Sequence, residues 1–133
     1  MANNSARSDG SYPQFHISIG VNSIEQSVDF YSGLLNGRVA HRDPSGYVNI
    51  ELYGCELTLK PTDSSLPELP DFHFGVNLSM AQFNELAESV MKSGYERIVM
   101  QPKVVDSGTP IERKKMYLRC PTGYLIELKG YNG

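Results

Sequence analysis

Twice along this chain a histidine on a strand-like stretch is followed by an amphipathic helix and a closing glycine. No other feature constrains the fold as much. His16 opens FHISIGVNSIEQSVDFYSGLLNG and His73 opens FHFGVNLSMAQFNELAESVMKSG, and each stands 21 positions before its glycine, Gly37 and Gly94. A unit of this length is too small to bury its own apolar face, so two copies are expected to pack around one core. Any shared chemistry then lies between the copies.

The two copies read alike in detail. In Phe15 to Val21 the residues Phe15, Ile17, Ile19 and Val21 share one face, which leaves His16, Ser18 and Gly20 on the other. Asn22 or Ser23 can cap a helix in which Ile24, Val28, Tyr31 and Leu35 fall at helical spacing, and Asn36-Gly37 stops it. Strands are expected at Arg38 to Arg42, Tyr47 to Tyr53 and Cys55 to Lys60, divided by Asp43-Pro44-Ser45-Gly46 and by Gly54. In the second copy Phe72, Phe74, Val76 and Leu78 face one way and His73, Gly75 and Asn77 the other. A Ser79-capped helix then carries Phe83, Leu86, Ala87 and Val90 on one stripe. Strands come next at about Arg97 to Lys103, Lys114 to Arg119 and Tyr124 to Lys129, with a long connection from Val104 to Arg113. Each copy is thus a β-α-β-β-β module. The proline-rich segment 61–71 suits neither helix nor central strand and is read as the linker between modules, while the polar stretch 1–13 is expected to be a disordered tail.

Composition narrows the function classes. With 133 residues, 40% of them hydrophobic and 20% charged, the chain suits one soluble domain with a real core. A net charge of −3 argues against a nucleic-acid or anionic-membrane partner, since phosphate binding needs a basic surface. No apolar run reaches the length of a membrane span and the opening MANNSARSDGSYPQ lacks a signal-like apolar stretch, so a cytoplasmic location is the expectation. Cys55 and Cys120 are too few for a disulfide framework and lack zinc-site spacing, and they read as free, half-buried thiols. Met80, Met91, Met100 and Met116 read as core filling.

Three residues stand where ionisable side chains need partners. His16 and His73 lie in otherwise apolar strands, and Glu127 sits in the last strand between apolar neighbours. Two imidazoles and one carboxylate brought to one side of a sheet form a two-histidine, one-carboxylate facial arrangement, which suits Fe(II) or Mn(II) and leaves positions open for substrate. The rival reading is plain: both histidines are surface or core residues, and Glu127 pairs with Lys129 or Lys60. Tyr117 and Arg119, one strand away, can orient an anionic substrate or simply face solvent, and His41 reads as a surface histidine.

The duplicated module, the opening FHISIGVNSIEQSVDFYSGLL, the restart PDFHFGVNL and the closing CPTGYLIELKGY together resemble the glyoxalase, bleomycin-resistance and extradiol-dioxygenase group, also called the vicinal oxygen chelate superfamily, over about residues 13 to 131. The resemblance implies an α+β fold in which tandem β-α-β-β-β modules, about 14–60 and 72–131 of a single domain 14–133, form a cup-shaped mixed sheet. It implies His16 as the first-strand metal ligand, His73 as the ligand opening the second module, and Glu127, at the end of the Pro-x-Gly-x-x-x-Glu motif starting at Pro121, as the carboxylate ligand. Aligning Gly54 with Gly123 puts Thr58 at the position that Glu127 holds in the second module. Glu56, two residues away on the same face, is a weaker candidate for a fourth ligand. The implied cofactor is one divalent ion, Fe(II) or Mn(II) before Zn(II) or Ni(II). The implied function is an enzyme that chelates neighbouring oxygens of a small-molecule substrate, dioxygenase-like first, with a homodimeric assembly. A glyoxalase-type lyase or isomerase, and a metal-free drug- or metabolite-binding resistance protein, are the alternatives.

Overall fold

The computed structural model describes residues 14–63 and 72–132; the expected tail and the linker from residue 64 to 71 lie outside them. The first module runs β1 (Phe15–Val21), α1 (Ile24–Val28), a π-helical stretch (Asp29–Leu34), β2 (Arg38–Arg42), β3 (Val48–Leu52) and β4 (Cys55–Pro61). The second runs β5 (Phe74–Ser79), α2 (Met80–Lys92), β6 (Ile98–Val105), β7 (Arg113–Arg119) and β8 (Leu125–Tyr131). Each module builds a four-stranded mixed sheet of the same order, β1-β4-β3-β2 and β5-β8-β7-β6. The first strand pairs in parallel with the last, and the helix supplies the crossover that a parallel pair requires. The tandem modules expected from the repeat are therefore present, among the described residues, as two like sheets.

Local chemistry sets the helix starts. The Ser23 hydroxyl accepts from the Gln26 amide at 3.2 Å, and Ser79 and Gln82 form a reciprocal capping box with both bonds at 3.1 Å. The first helix departs from the expected α-helical run. At Leu35 the amide reaches back five residues to the Phe30 carbonyl, the signature of a π-helical turn. This wider turn lets neighbouring Phe30 and Tyr31 both enter the core, with 2% and 0% of their surface exposed. Their rings meet edge to face at 4.8 Å, and Tyr31 stacks on Phe74 of the second module at 6.5 Å.

The core is one cluster fed by both modules. Ile19, Val21, Ile50, Leu57 and Leu59 come from the first sheet, Leu118, Ile126 and Leu128 from the second, and Phe83 and Val90 from α2. Two polar contacts tie the modules together: the Tyr124 hydroxyl donates to the Gly20 carbonyl at 3.1 Å, and the Asn22 amide to the Thr122 hydroxyl at 3.1 Å. No helix among the described residues is long and apolar enough to cross a membrane.

Several expectations are corrected. The long connection shrinks, because β6 continues through Val104 and Val105 and β7 begins at Arg113. Phe72 precedes β5 and is 42% exposed rather than packed in a strand. Of the four methionines only Met116 is fully buried, and Met91 on α2 is 37% exposed. Cys120 is wholly buried, beyond the half-buried state expected of it. Pro61, placed in the linker by its composition, closes β4 opposite Val21, past the reach of β3, where its missing amide proton costs no ladder bond on that side.

The approach of α2 to its sheet depends on Gly130, where a Cβ would stand 2.5 Å from the Phe83 Cβ. The Gly130→Ala variant is accordingly expected to lose about 1–3 kcal/mol of stability through overpacking. A urea midpoint equal to that of the parent chain would refute this account of the helix–sheet contact.

Candidate metal centre

Strand alternation puts Glu127, Lys129, Lys115 and Tyr117 on the face of the second sheet that turns away from α2, and His73, expected within the strand but found one residue before β5, joins them. Glu127 lies opposite Gly75 on one side and Tyr117 on the other. Gly75 is required there, because a Cβ at that position would overlap the Glu127 carbonyl. The Glu127 side chain is only 7% exposed yet has polar company on every side. His73 Nε2 lies 3.5 Å from its Oε1, Lys129 Nζ is 3.7 Å from Oε1 and Lys115 Nζ 3.9 Å from Oε2. The Tyr117 hydroxyl hydrogen-bonds to the same carboxylate, which together with partial desolvation raises the phenol pKa. An edge-on contact between the His73 and Tyr117 rings, 5.9 Å between centroids, holds the imidazole beside Glu127.

The first sheet carries a second, smaller cluster. His16 lies directly across from Glu56, and its Nδ1 meets Glu56 Oε1 at 3.0 Å. This leaves Nε2 as the ring nitrogen free to ligate, with a carboxylate holding the other nitrogen in the manner common to metal-bound histidines. One row further along the sheet Thr58 stands between Ser18 and Asn49, and its hydroxyl donates to Asn49 Oδ1 at 2.7 Å. Thr58 thus occupies the row that Glu127 occupies in the second sheet, as the glycine alignment implies, and it is engaged with a neutral amide. His41 is exposed and pairs with Asp43 at 3.1 Å, away from both clusters. Two hydrogen bonds from Ser45, followed by one from His41, draw the Asp43 pKa down to about 2.

A divalent ion places a distance requirement on its donors. Two bonds of about 2.1 Å from one ion hold their donor atoms roughly 3.0–3.4 Å apart. The 3.5 Å between His73 Nε2 and Glu127 Oε1 lies just above that range, close enough for a small side-chain adjustment to bring the two onto one ion. The structure brings these two together, and separately His16 with Glu56. Among the described residues it gathers no three histidine, cysteine or acidic side chains around one point. The reason is geometric: the apolar faces of both sheets turn toward the shared core, so the polar faces turn away from it. Between the apolar faces lies a cavity of about 370 Å³ bordered by Ile17, Tyr31, Leu57, Phe74, Val76 and Leu128, with none of the candidate ligands in its wall. A smaller one, about 280 Å³, opens on the polar face of the second sheet beside His73, Gly75, Asn77, Glu127 and Lys129.

Residue order singles out Tyr117 but not Lys115, although the alternation through Arg113–Arg119 already places Lys115 on the same face. Arg119, offered with Tyr117 as a contact for an anion, is bound into the Pro121 to Gly123 turn through a bond to the Gly123 carbonyl at 2.9 Å. A double-mutant cycle joining Glu127→Gln and Tyr117→Phe is expected to show a coupling of about 1 kcal/mol in urea unfolding. Additive effects of the two substitutions would show that the phenol and the carboxylate do not interact.

Among solved structures, three with the same fold illustrate the likeness. A glyoxalase/bleomycin resistance protein/dioxygenase from Alicyclobacillus acidocaldarius is 23% identical, with 90% of this chain and 91% of that one aligned at a TM-score of 0.75. The genomically encoded fosfomycin resistance protein FosX from Listeria monocytogenes is 17% identical over 90% and 91% of the two chains, at 0.69. TioX from Micromonospora sp. ML1 is 14% identical over 89% and 98%, at 0.68. At these identities the likeness is one of fold. No curated protein matches the chain. The family model of the glyoxalase/bleomycin resistance protein/dioxygenase superfamily matches residues 14–128, nearly the whole described chain, and the protein belongs to that superfamily.

Proposed function

We propose that the protein is a divalent-metal-dependent enzyme of this superfamily acting on a small molecule, with His16, His73 and Glu127 as the metal ligands. The observation that carries the reading is the 3.5 Å approach of His73 Nε2 to a nearly buried Glu127 carboxylate, on a face whose counterpart in the first module presents His16. Glu56 takes the part of an orienting carboxylate, because it faces the Nδ1 that a ligating His16 does not use. A three-ligand facial set favours Fe(II) or Mn(II) and dioxygenase-like chemistry over a glyoxalase-type lyase. When bound, such an ion supplies Lewis-acid stabilisation of negative charge developing on substrate oxygen. The chain's own contribution is positional: Tyr117 and the His73 ring fix the carboxylate and imidazole relative to each other, and Gly75 lets β5 close against β8 at the site.

Because the two polar faces diverge within one chain, the reading includes a homodimer in which His16 of one copy meets His73 and Glu127 of the other. The apolar cavity of about 370 Å³ supports a second reading, a metal-free protein that sequesters a small apolar molecule.

Elemental analysis of dialysed protein offered Fe(II), Mn(II), Ni(II) and Zn(II) in turn decides between them. About one ion per chain is expected, lost in His73→Ala and in the His16→Ala/Glu127→Ala variant with thermal unfolding little changed; full occupancy in His73→Ala would remove the proposed ligand set. Glu56→Gln is expected to retain the ion, and a large loss there would move the assignment toward the four-ligand lyases. A heterodimer of one His16→Ala copy and one Glu127→Ala copy is expected to recover one ion per pair. A heterodimer that stays empty, with both parents folded, would mean that the ligands are not shared between copies.

A further inference from the structure

A transverse row of three lysines crosses the polar face of the second sheet beside Glu127. Lys103 on β6 pairs with Lys115 on β7, Lys115 pairs with Lys129 on β8, and Lys129 pairs with Asn77 on β5. Like charges set directly opposite each other on neighbouring strands are destabilising, and here the arrangement occurs twice in succession. Among the described residues the carboxylate within reach is Glu127, at 3.7 and 3.9 Å from two of the three ammonium groups, too far for direct hydrogen bonds. None of the three lysines donates a hydrogen bond within the described residues, although Lys129 lies over the Tyr131 ring at 5.9 Å. The neighbouring cations on this strand are committed elsewhere: Arg113 to Asp106 at 2.5 Å and Arg119 to the Gly123 carbonyl. Lys129 and Asn77 line the same 280 Å³ cavity as His73 and Glu127.

We infer that this row, with the Asn77 amide at its end, is the binding site for an oxyanionic group of the substrate, a phosphate or a carboxylate, seated next to the proposed metal ligands. Two of these three cations share one carboxylate in the free protein. Once a divalent ion takes that carboxylate, Lys115 and Lys129 lose their counter-charge, and an oxyanion restores it. Metal and oxyanion therefore strengthen each other's binding, by the same factor in either order. The coupling rests on the metal-site reading; the lysine row does not.

The experiment separates the two. Inorganic sulfate, and acetate in parallel, are titrated calorimetrically into metal-free protein, Mn(II)-loaded protein and the metal-free Glu127→Gln variant. Each is repeated with Lys115→Met/Lys129→Met added, and thermal unfolding confirms that every variant is folded. Sulfate or acetate is expected to bind at least about tenfold more tightly to the Mn(II)-loaded and Glu127→Gln proteins than to the metal-free parent, with the gain abolished by the lysine substitutions. The tighter of the two anions names the group recognised. Binding to Glu127→Gln with no binding of Mn(II) to the parent would leave the oxyanion site standing and remove the metal. Mn(II) binding with no anion gain, or a gain that survives loss of the lysines, would overturn the inference while leaving the metal reading intact.

Discussion

In each module the first strand runs parallel to the last, β1 beside β4 and β5 beside β8, and the distances at the site depend on this pairing. Parallel strands need a crossover, so each module contains a helix that covers one face of its sheet and leaves the other for polar side chains. The pairing also fixes which residues meet: His16 falls opposite Glu56, and Gly75 opposite Glu127. A slip of one residue in either pair would turn the ligating face into the core face. The buried apolar side of the sheets thus holds the polar side in register.

The same constraint explains how the two modules diverged. His16 faces a carboxylate directly, and the next row holds Thr58 bound to Asn49. In the second module the position facing His73's neighbour Gly75 holds Glu127, surrounded by a phenol and two ammonium groups. One sheet therefore offers an oriented imidazole and the other a carboxylate set among cations, which is a division of labour between copies of one unit.

Much of this was legible from residue order. The two-residue alternation in β1 and β8 sorted His16 and Glu127 each onto the polar face of its own sheet, and Ser23, Ser79 and Gly94 marked helix ends close to where they occur. The π-helical turn was not legible, because Ile24, Val28, Tyr31 and Leu35 already satisfy an ordinary helix, and burial of Phe30 alongside Tyr31 emerges only when both rings find partners in the other module. The lysine row was hidden for a different reason. Lys103, Lys115 and Lys129 are far apart in sequence, and their alignment depends on the registers of two strand pairs, one of them broken by a bulge between Met100 and Lys103. The pairing of Glu56 with His16 likewise needed the register, since the glycine alignment located Thr58 rather than Glu56 in the ligand row.

The π-helical stretch limits the chain in length as well as in composition. Its wider turn accommodates one residue more than an α-helical turn between the same flanking positions. Removal of any single residue between Asp29 and Leu34 would let the segment relax to an ordinary α-helical turn between the same flanking positions, without the extra width that seats two adjacent rings. Phe30 and Tyr31 could then no longer both point inward, and the ring that stacks on Phe74 would leave the junction of the modules. The number of residues in this turn, independent of their identity, thus sets how the first half of the molecule is seated on the second.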